Sequence, residues 1–232
     1  MRYYDRVVII RPIQPGTGAM EAKKTFFNLP EDKQKRVLET AIGEFSEKGY
    51  TGASINVIVS RLGIAKGSIY QYFTNKKSLF YHIFDYAVEL VRKTLKQVKN
   101  ETRDAPVFER MKKSLLAGVD FIDRHPSIYR MYLKLMFERE TPFRQELLQR
   151  VRLFSSDYLT SLLVEAKERG EIRKDMDVKS AVFVLDAVMD RFLQAYSVSF
   201  LDSGARIYRM DREQIGRRVD EIVEILRKGI VS

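Results

Sequence analysis

The chain has 232 residues, with 41 Lys and Arg against 31 Asp and Glu, two His, and neither Cys nor Trp. Without cysteine there can be no disulfide framework, thiolate zinc site, iron–sulfur cluster or cysteine nucleophile. A composition 45% hydrophobic and 31% charged is that of a globular chain able to bury a core in one or two domains.

No run approaches the roughly 18 consecutive apolar residues of a membrane span. The apolar stretch Val7–Ile10 is too short for the core of a signal peptide, so a cytoplasmic protein is expected. The charge is uneven. Residues 1–99 carry 17 Lys and Arg and 9 Asp and Glu, which is +8 of the total +10. A basic half beside a nearly neutral one suggests an anionic polymer as partner of the first half. The alternative is a solvated basic surface with no partner.

Residues 1–24 read as a flexible N-terminal extension: Pro12, Pro15, Gly16 and Gly18 forbid a continuous helix. A second reading makes them a basic arm on DNA, with Arg2, Arg6 and Arg11 at the backbone or minor groove. Everything after them is helical in pattern. The first helix runs from about Glu31 to Lys48, with Val37, Leu38, Ala41, Ile42 and Phe45 on one stripe. Pro30 suits its first turn and Gly49 its end. A short helix opens at Ser54, an N-cap candidate, and buries Ile55, Ile58, Val59 and Leu62. Gly63 interrupts, and a third helix spans about 65–73. Asn75 caps a long fourth helix that carries Leu79, Phe80, Ile83, Phe84, Ala87 and Val88. A polar break at 100–106 precedes five more helices, at about 106–124, 126–139, 142–169, 177–201 and 212–229. Pro126 and Pro142 sit at N1-like positions, Gly170 ends a segment, and Asp177 and Asp211 are N-cap candidates. Asp211 with Gln214 has the spacing of a capping box. The expectation is an all-α chain of about nine helices.

The stretch Ser54 to Phe73 has the layout of a helix-turn-helix. Two short helices cross over a tight turn, and Gly63 supplies the residue that tolerates positive φ. The second helix would expose Ala65, Lys66, Gly67, Ser68, Tyr70, Gln71 and Tyr72, which are small, basic or hydroxyl-bearing. Small residues allow close approach to a groove, and the donors reach phosphates and base edges.

Around it stand Phe45, Gly49 and Tyr50; then Thr51 and Ser54; then Gly63, Ile64, Ala65, Lys66, Gly67, Ser68, Ile69, Tyr70, Tyr72 and Phe73; then Asn75, Lys76 and Leu79. From about Val37 to Leu79 this resembles the TetR (tetracycline-repressor-like) family of bacterial transcription regulators. Val59 stands where the family pattern usually has Ala, and Tyr72 where many members have His. The resemblance implies a helix-turn-helix DNA-binding domain at 25–78 and a helical ligand-binding and dimerisation domain at 79–232. It implies DNA contacts from Thr51, Ser54, Lys66, Ser68, Tyr70, Gln71, Tyr72 and Lys76. Lys66, Ser68 and Gln71 would reach bases, and the tyrosines, Thr51, Ser54 and Lys76 would hold phosphates. Lysines solvated on an ordinary surface are the alternative.

Most aromatic and Met residues of the second half are needed as core. The resemblance further implies that some line a cavity for a small, fairly apolar effector, with Tyr129, Met131, Tyr132, Met136, Phe154, Tyr158, Met189 and Phe192 as candidates. The 177–201 helix is apolar on nearly every side, so a second chain would have to cover part of it. Such a final helix pair forms the dimer interface in the family. Asp186, Asp190 and Arg191 interrupt the apolar run, as a structural ion pair or as a polar anchor for a ligand. The function so implied is a repressor acting as a homodimer on a palindromic DNA operator and released by its effector, with the long fourth helix as lever. No cofactor is called for. The rivals are an effector-independent or architectural DNA-binding protein, and an all-helical enzyme. The enzyme is disfavoured because the chain has no phosphate-binding glycine loop, no His-x-x-x-His pair and no Ser–His constellation.

Overall fold

The computed structural model describes residues 22–138, 140–202, 204–208 and 210–230. The N-terminal arm with Arg2, Arg6 and Arg11 lies outside the described residues. Ten α-helices and one 3-10 turn make up the described chain, with no strand among the described residues. Two compact units divide between Ala87 and Val88.

In the first unit α1 spans Lys24–Phe27, α2 Glu31–Gly52, α3 Ile55–Leu62 and α4 Lys66–Tyr72. The N-terminal part of α5, Lys76–Glu101, completes it. The expected stripe of α2 is the buried one: Val37, Leu38, Ala41, Ile42 and Phe45 all face inward. Phe45 meets the ring of Phe80 from α5 edge-on at 4.9 Å. Gly49 leaves helical geometry (φ 66°, ψ 179°), so α2 kinks there, and the last turn to Gly52 is a separate piece. Gly63 adopts the left-handed conformation (φ 69°) between α3 and α4, as the turn requires.

Two prolines stand differently from the sequence expectation. Pro30 is the residue before α2, not within it, and Pro142 lies outside α8, which starts at Arg144 behind Phe143. Ser54 stands directly before α3, but its side chain makes no capping bond. The caps at Asn75, Asp177 and Asp211 form as expected. Asn75 Oδ1 accepts from Ser78 N at 2.9 Å, and Ser78 Oγ accepts from Asn75 N at 3.1 Å. Asp177 accepts from Ser180 N, and Asp211 and Gln214 exchange bonds at 2.8 and 3.4 Å.

The second unit holds α6 (Val107–Arg124), α7 (Pro126–Phe137), α8 (Arg144–Glu168), α9 (Val178–Ser197) and α10 (Arg212–Ile230). A 3-10 turn, Ser199–Leu201, ends the α9 segment earlier than the sequence suggests. One core layer joins Val107, Met111, Leu159, Leu162, Leu163, Val182 and Leu185 from α6, α8 and α9. A second joins Leu115, Val119, Ile122, Tyr129, Phe192, Ile215 and Val219 from α6, α7, α9 and α10. Gly118 lets α6 and α9 approach closely, because a Cβ there would sit 3.0 Å from Leu193 Cδ2.

Candidate nucleic-acid interface and effector residues

The α3–α4 pair is held from three sides. Glu44 on α2 is 2% exposed; its Oε1 accepts the Ser54 N–H at 3.1 Å, and its Oε2 faces Arg61 at 3.3 Å. A carboxylate at the start of α3 also complements that helix's positive end. Arg36 Nη2 donates to the Leu62 carbonyl at 2.9 Å and so ties the far end of α3 to α2.

The third hold is on α4. Its C-terminal carbonyls have no partners within the helix, as at any helix end. Three donors from the segment before and within α1 meet them. Lys23 N donates to Tyr72 O at 2.8 Å, Lys23 Nζ to Tyr70 O at 2.7 Å, and the Thr25 hydroxyl to Gln71 O. Phe26, 1% exposed, anchors this clasp against the rings of Tyr72, Phe73 and His82, with centroids 6.3, 5.1 and 5.1 Å away. Burial among these rings pushes the His82 imidazole down to about 4.

The exposed side of α4 consists of Lys66, Gly67, Tyr70 and Gln71, with Ser68 and Tyr72 half-buried and Ile69 inward. Thr51 is exposed and Ser54 half-buried at the α2–α3 junction. Two expected phosphate donors are already engaged. The Ser54 N–H serves Glu44. Lys76 Nζ donates to Thr51 O at 3.1 Å and Ala53 O at 3.0 Å, and lies 4.8 Å from the Tyr50 ring centre. Burial lowers the Lys76 pKa. In this conformation Lys76 braces the α2–α3 junction.

The expected effector residues do not form one cluster. Tyr129, Tyr132, Met189 and Phe192 share the second core layer, and Tyr158 and Met189 pack on the first. Met131 is buried and Met136 half-buried on α7, and Phe154 lies under the Arg92 guanidinium at 5.6 Å. Tyr158 shares a 2.6 Å hydrogen bond with the buried Ser114. Asp186 and Asp190 are ion-paired to Arg152 of α8, at 3.0 and 2.5 Å.

Sequence reasoning missed Lys23, Thr25, Phe26, Glu44, Arg110 and Arg152. Glu44 left a signal, since it falls three residues after Ala41 on the apolar stripe. Phe26 stood in an apolar pair before Pro30. Arg110, 3% exposed, donates to Glu165 at 2.9 Å, and Lys99 donates to the same carboxylate at 2.8 Å. Partial burial alone would raise the Glu165 pKa, but these two bonds outweigh it and hold the carboxyl below its ordinary range.

Residues 37–83 match the family described as bacterial regulatory proteins, tetR family, and residues 105–231 match the tetracyclin repressor-like C-terminal domain. The probable acrEF/envCD operon repressor of Escherichia coli K12 is 22% identical over 197 residues, 81% of this chain and 85% of that one. A TetR family transcriptional regulator from Chloroflexus aurantiacus is 27% identical and superimposes with a TM-score of 0.64, covering 90% of this chain and 98% of its own. FadR from Bacillus subtilis, solved in complex with stearoyl-CoA, is 17% identical with a TM-score of 0.66 over 84% of this chain and 98% of its own. With an N-terminal helix-turn-helix and a C-terminal helical unit each matching its own part of the family, the chain belongs to the TetR family of DNA-binding transcriptional regulators.

Proposed function

We propose that the protein is a homodimeric, ligand-responsive repressor that places one α4 from each chain in successive major grooves of a roughly palindromic operator. Residues 25–78 serve as the DNA-binding domain and 79–232 as the ligand-binding and dimerisation domain, acting in the cytoplasm.

Gly67 carries this reading. Glycine within a helix costs roughly 1 kcal/mol against alanine. Nothing in the chain requires it, since a Cβ at Gly67 would meet no atom within 4 Å. Its use is outside the chain: it lets a DNA backbone or base edge approach α4 between Lys66, Ser68 and Gln71. Lys66 and Gln71 supply the base contacts, each discriminating by about 1–3 kcal/mol. Tyr70, Tyr72 and Thr51 hold phosphates. Ser54 offers its hydroxyl, and Lys76 reaches a phosphate by leaving its two carbonyls.

A second chain is called for by α9. Phe183 is 75% exposed, and Val184 and Ala187 continue the same stripe. On α10, Ile225 is 71% exposed. Contiguous exposed apolar side chains mark an interface, and a two-fold axis buries the same stripe on both copies. The effector acts by binding more tightly to the state that does not fit the operator.

The test is binding to duplexes selected from a random library, measured by fluorescence anisotropy at several salt concentrations. A steep fall of log affinity with log salt, discrimination between sequences, and loss of that discrimination in Lys66→Ala and Gln71→Ala are expected. Equal affinity for all duplexes would overturn the reading.

A further inference from the structure

A polar cluster lies among the apolar layers of the second unit, where α7, α8 and α9 meet. Arg152 of α8 reaches both Asp186 and Asp190 of α9. Ser155 Oγ donates to Asp186 at 2.7 Å, Gln194 Nε2 to Asp190 at 2.9 Å, and the Tyr132 hydroxyl to Asp190 at 3.4 Å. One guanidinium faces two carboxylates, so the cluster keeps an excess negative charge. Solvent reaches it, as the Asp186 and Asp190 side chains are 27% and 20% exposed.

Beside it stands Tyr129, 9% exposed, whose buried hydroxyl has no hydrogen-bond partner. Its ring lies 5.7 Å from that of Tyr132. Tyr132, next to it, carries the hydroxyl that bonds Asp190, and the charges of Asp190 and Arg152 are felt at the Tyr129 hydroxyl. A buried hydroxyl without a partner is a site waiting for one.

The chemistry selects the ligand. Two carboxylates offer about eight lone-pair sites, and the five bonds from Arg152, Ser155, Gln194 and Tyr132 leave some of them open. An anionic group would meet like charge. A neutral apolar group would leave both the excess charge and the Tyr129 hydroxyl unsatisfied. An organic cation that carries N–H meets both: the carboxylates neutralise its charge, its N–H donates to the Tyr129 oxygen, and the tyrosine faces attract it. We propose that this cluster is the effector's anchoring site, and that it takes an organic cation, held against Asp190 and the rings of Tyr129 and Tyr132. This deepens the ligand-responsive reading and rests on it only for the consequence at the operator.

The test uses the full-length protein and three matched probes: cationic 3-phenylpropylammonium, neutral 3-phenylpropanol and anionic 4-phenylbutyrate. Calorimetric titration should show the cation binding at least tenfold more tightly than the other two. Asp190→Asn should weaken it at least tenfold and leave the alcohol unchanged. Arg152→Gln should tighten it severalfold, since removing the internal cation raises the excess charge; a variant that merely unfolded would lose all three probes. Equal or tighter binding of 4-phenylbutyrate, or a cation preference untouched by Asp190→Asn and Arg152→Gln, would overturn the proposal. Operator release separates the two readings. Cation binding with the stated preference but no operator release supports the site and counts against ligand responsiveness. Release by the alcohol or the carboxylate, indifferent to Asp190→Asn, supports responsiveness and overturns the site.

Discussion

Replacing Thr25 by Val removes one hydroxyl at nearly constant volume and leaves every charge in place. In the folded chain that hydroxyl serves the Gln71 carbonyl, at the end of the seven-residue α4. A hydrogen bond of this kind contributes a net ~1 kcal/mol, and water reaches the released carbonyl because Gln71 is exposed. Global stability should therefore fall only by about 1 kcal/mol. The end of α4 should fray more, since Lys23 alone is left to hold it. The proposed homodimer would present α4 twice, so the cost of restoring it on DNA counts twice. About 2 kcal/mol corresponds to a roughly thirtyfold loss of operator affinity. Anisotropy across a salt series is the assay, with amide hydrogen exchange of Tyr70–Phe73 as the local readout. Thr25→Ser should restore both. Removing a group that itself touches a phosphate flattens the salt dependence, as Lys23→Met would if its ammonium met DNA; removing a bond that only positions α4 leaves the slope unchanged. Operator affinity within twofold of the parent, with unchanged exchange in α4, would refute the clasp.

His82 makes the first unit acid-sensitive. Its folded pKa of about 4 lies below the ordinary 6.5, so between those values the unfolded chain binds the extra proton. Stability is then full above pH 6.5 and is lost as pH falls towards 4, by about 2–3 kcal/mol at 1.36 kcal/mol per unit and partial exposure. Urea midpoints across this range should show the slope, and His82→Leu should flatten it. Gly63→Ala should cost about 1–2 kcal/mol in chemical denaturation through its left-handed backbone alone, because nothing lies within 4 Å of the added methyl. Phe183→Glu, placed on the exposed stripe of α9, should shift sedimentation towards monomer at micromolar concentration. Its two-fold repetition removes about 3–6 kcal/mol of apolar burial. Phe26→Ala should cost about 3–5 kcal/mol, and loss of the clasp should lower operator binding with it.

Local rules made much of the chain legible. The α2 stripe, the glycine turn at Gly63 and the caps at Asn75, Asp177 and Asp211 depend on near neighbours along the chain. Helix identity and family resemblance rest on such spacing, so they read directly from residues. Partnerships between distant segments did not. Lys23 meets Tyr70 across 47 positions, Lys76 meets Ala53 across 23, and Arg152 meets Asp190 across 38. A lysine in a motif reads as a free cation until the fold shows which carbonyls stand beside it. An aspartate in an apolar helix reads as an anomaly until its guanidinium arrives from another helix.

The net charge of +10 and its weight towards the first half followed from the sequence by itself, as did the all-helical class and the glycine-centred turn. Each needs only composition or interactions within one or two helical turns. Tertiary structure decided which charges remain available. It turned Lys76 and Glu44 into internal braces, set α1 on the end of α4, and left Tyr129 beside an acidic excess. Those outcomes follow from packing, because only packing brings remote groups within hydrogen-bonding distance and removes the water that would otherwise serve them.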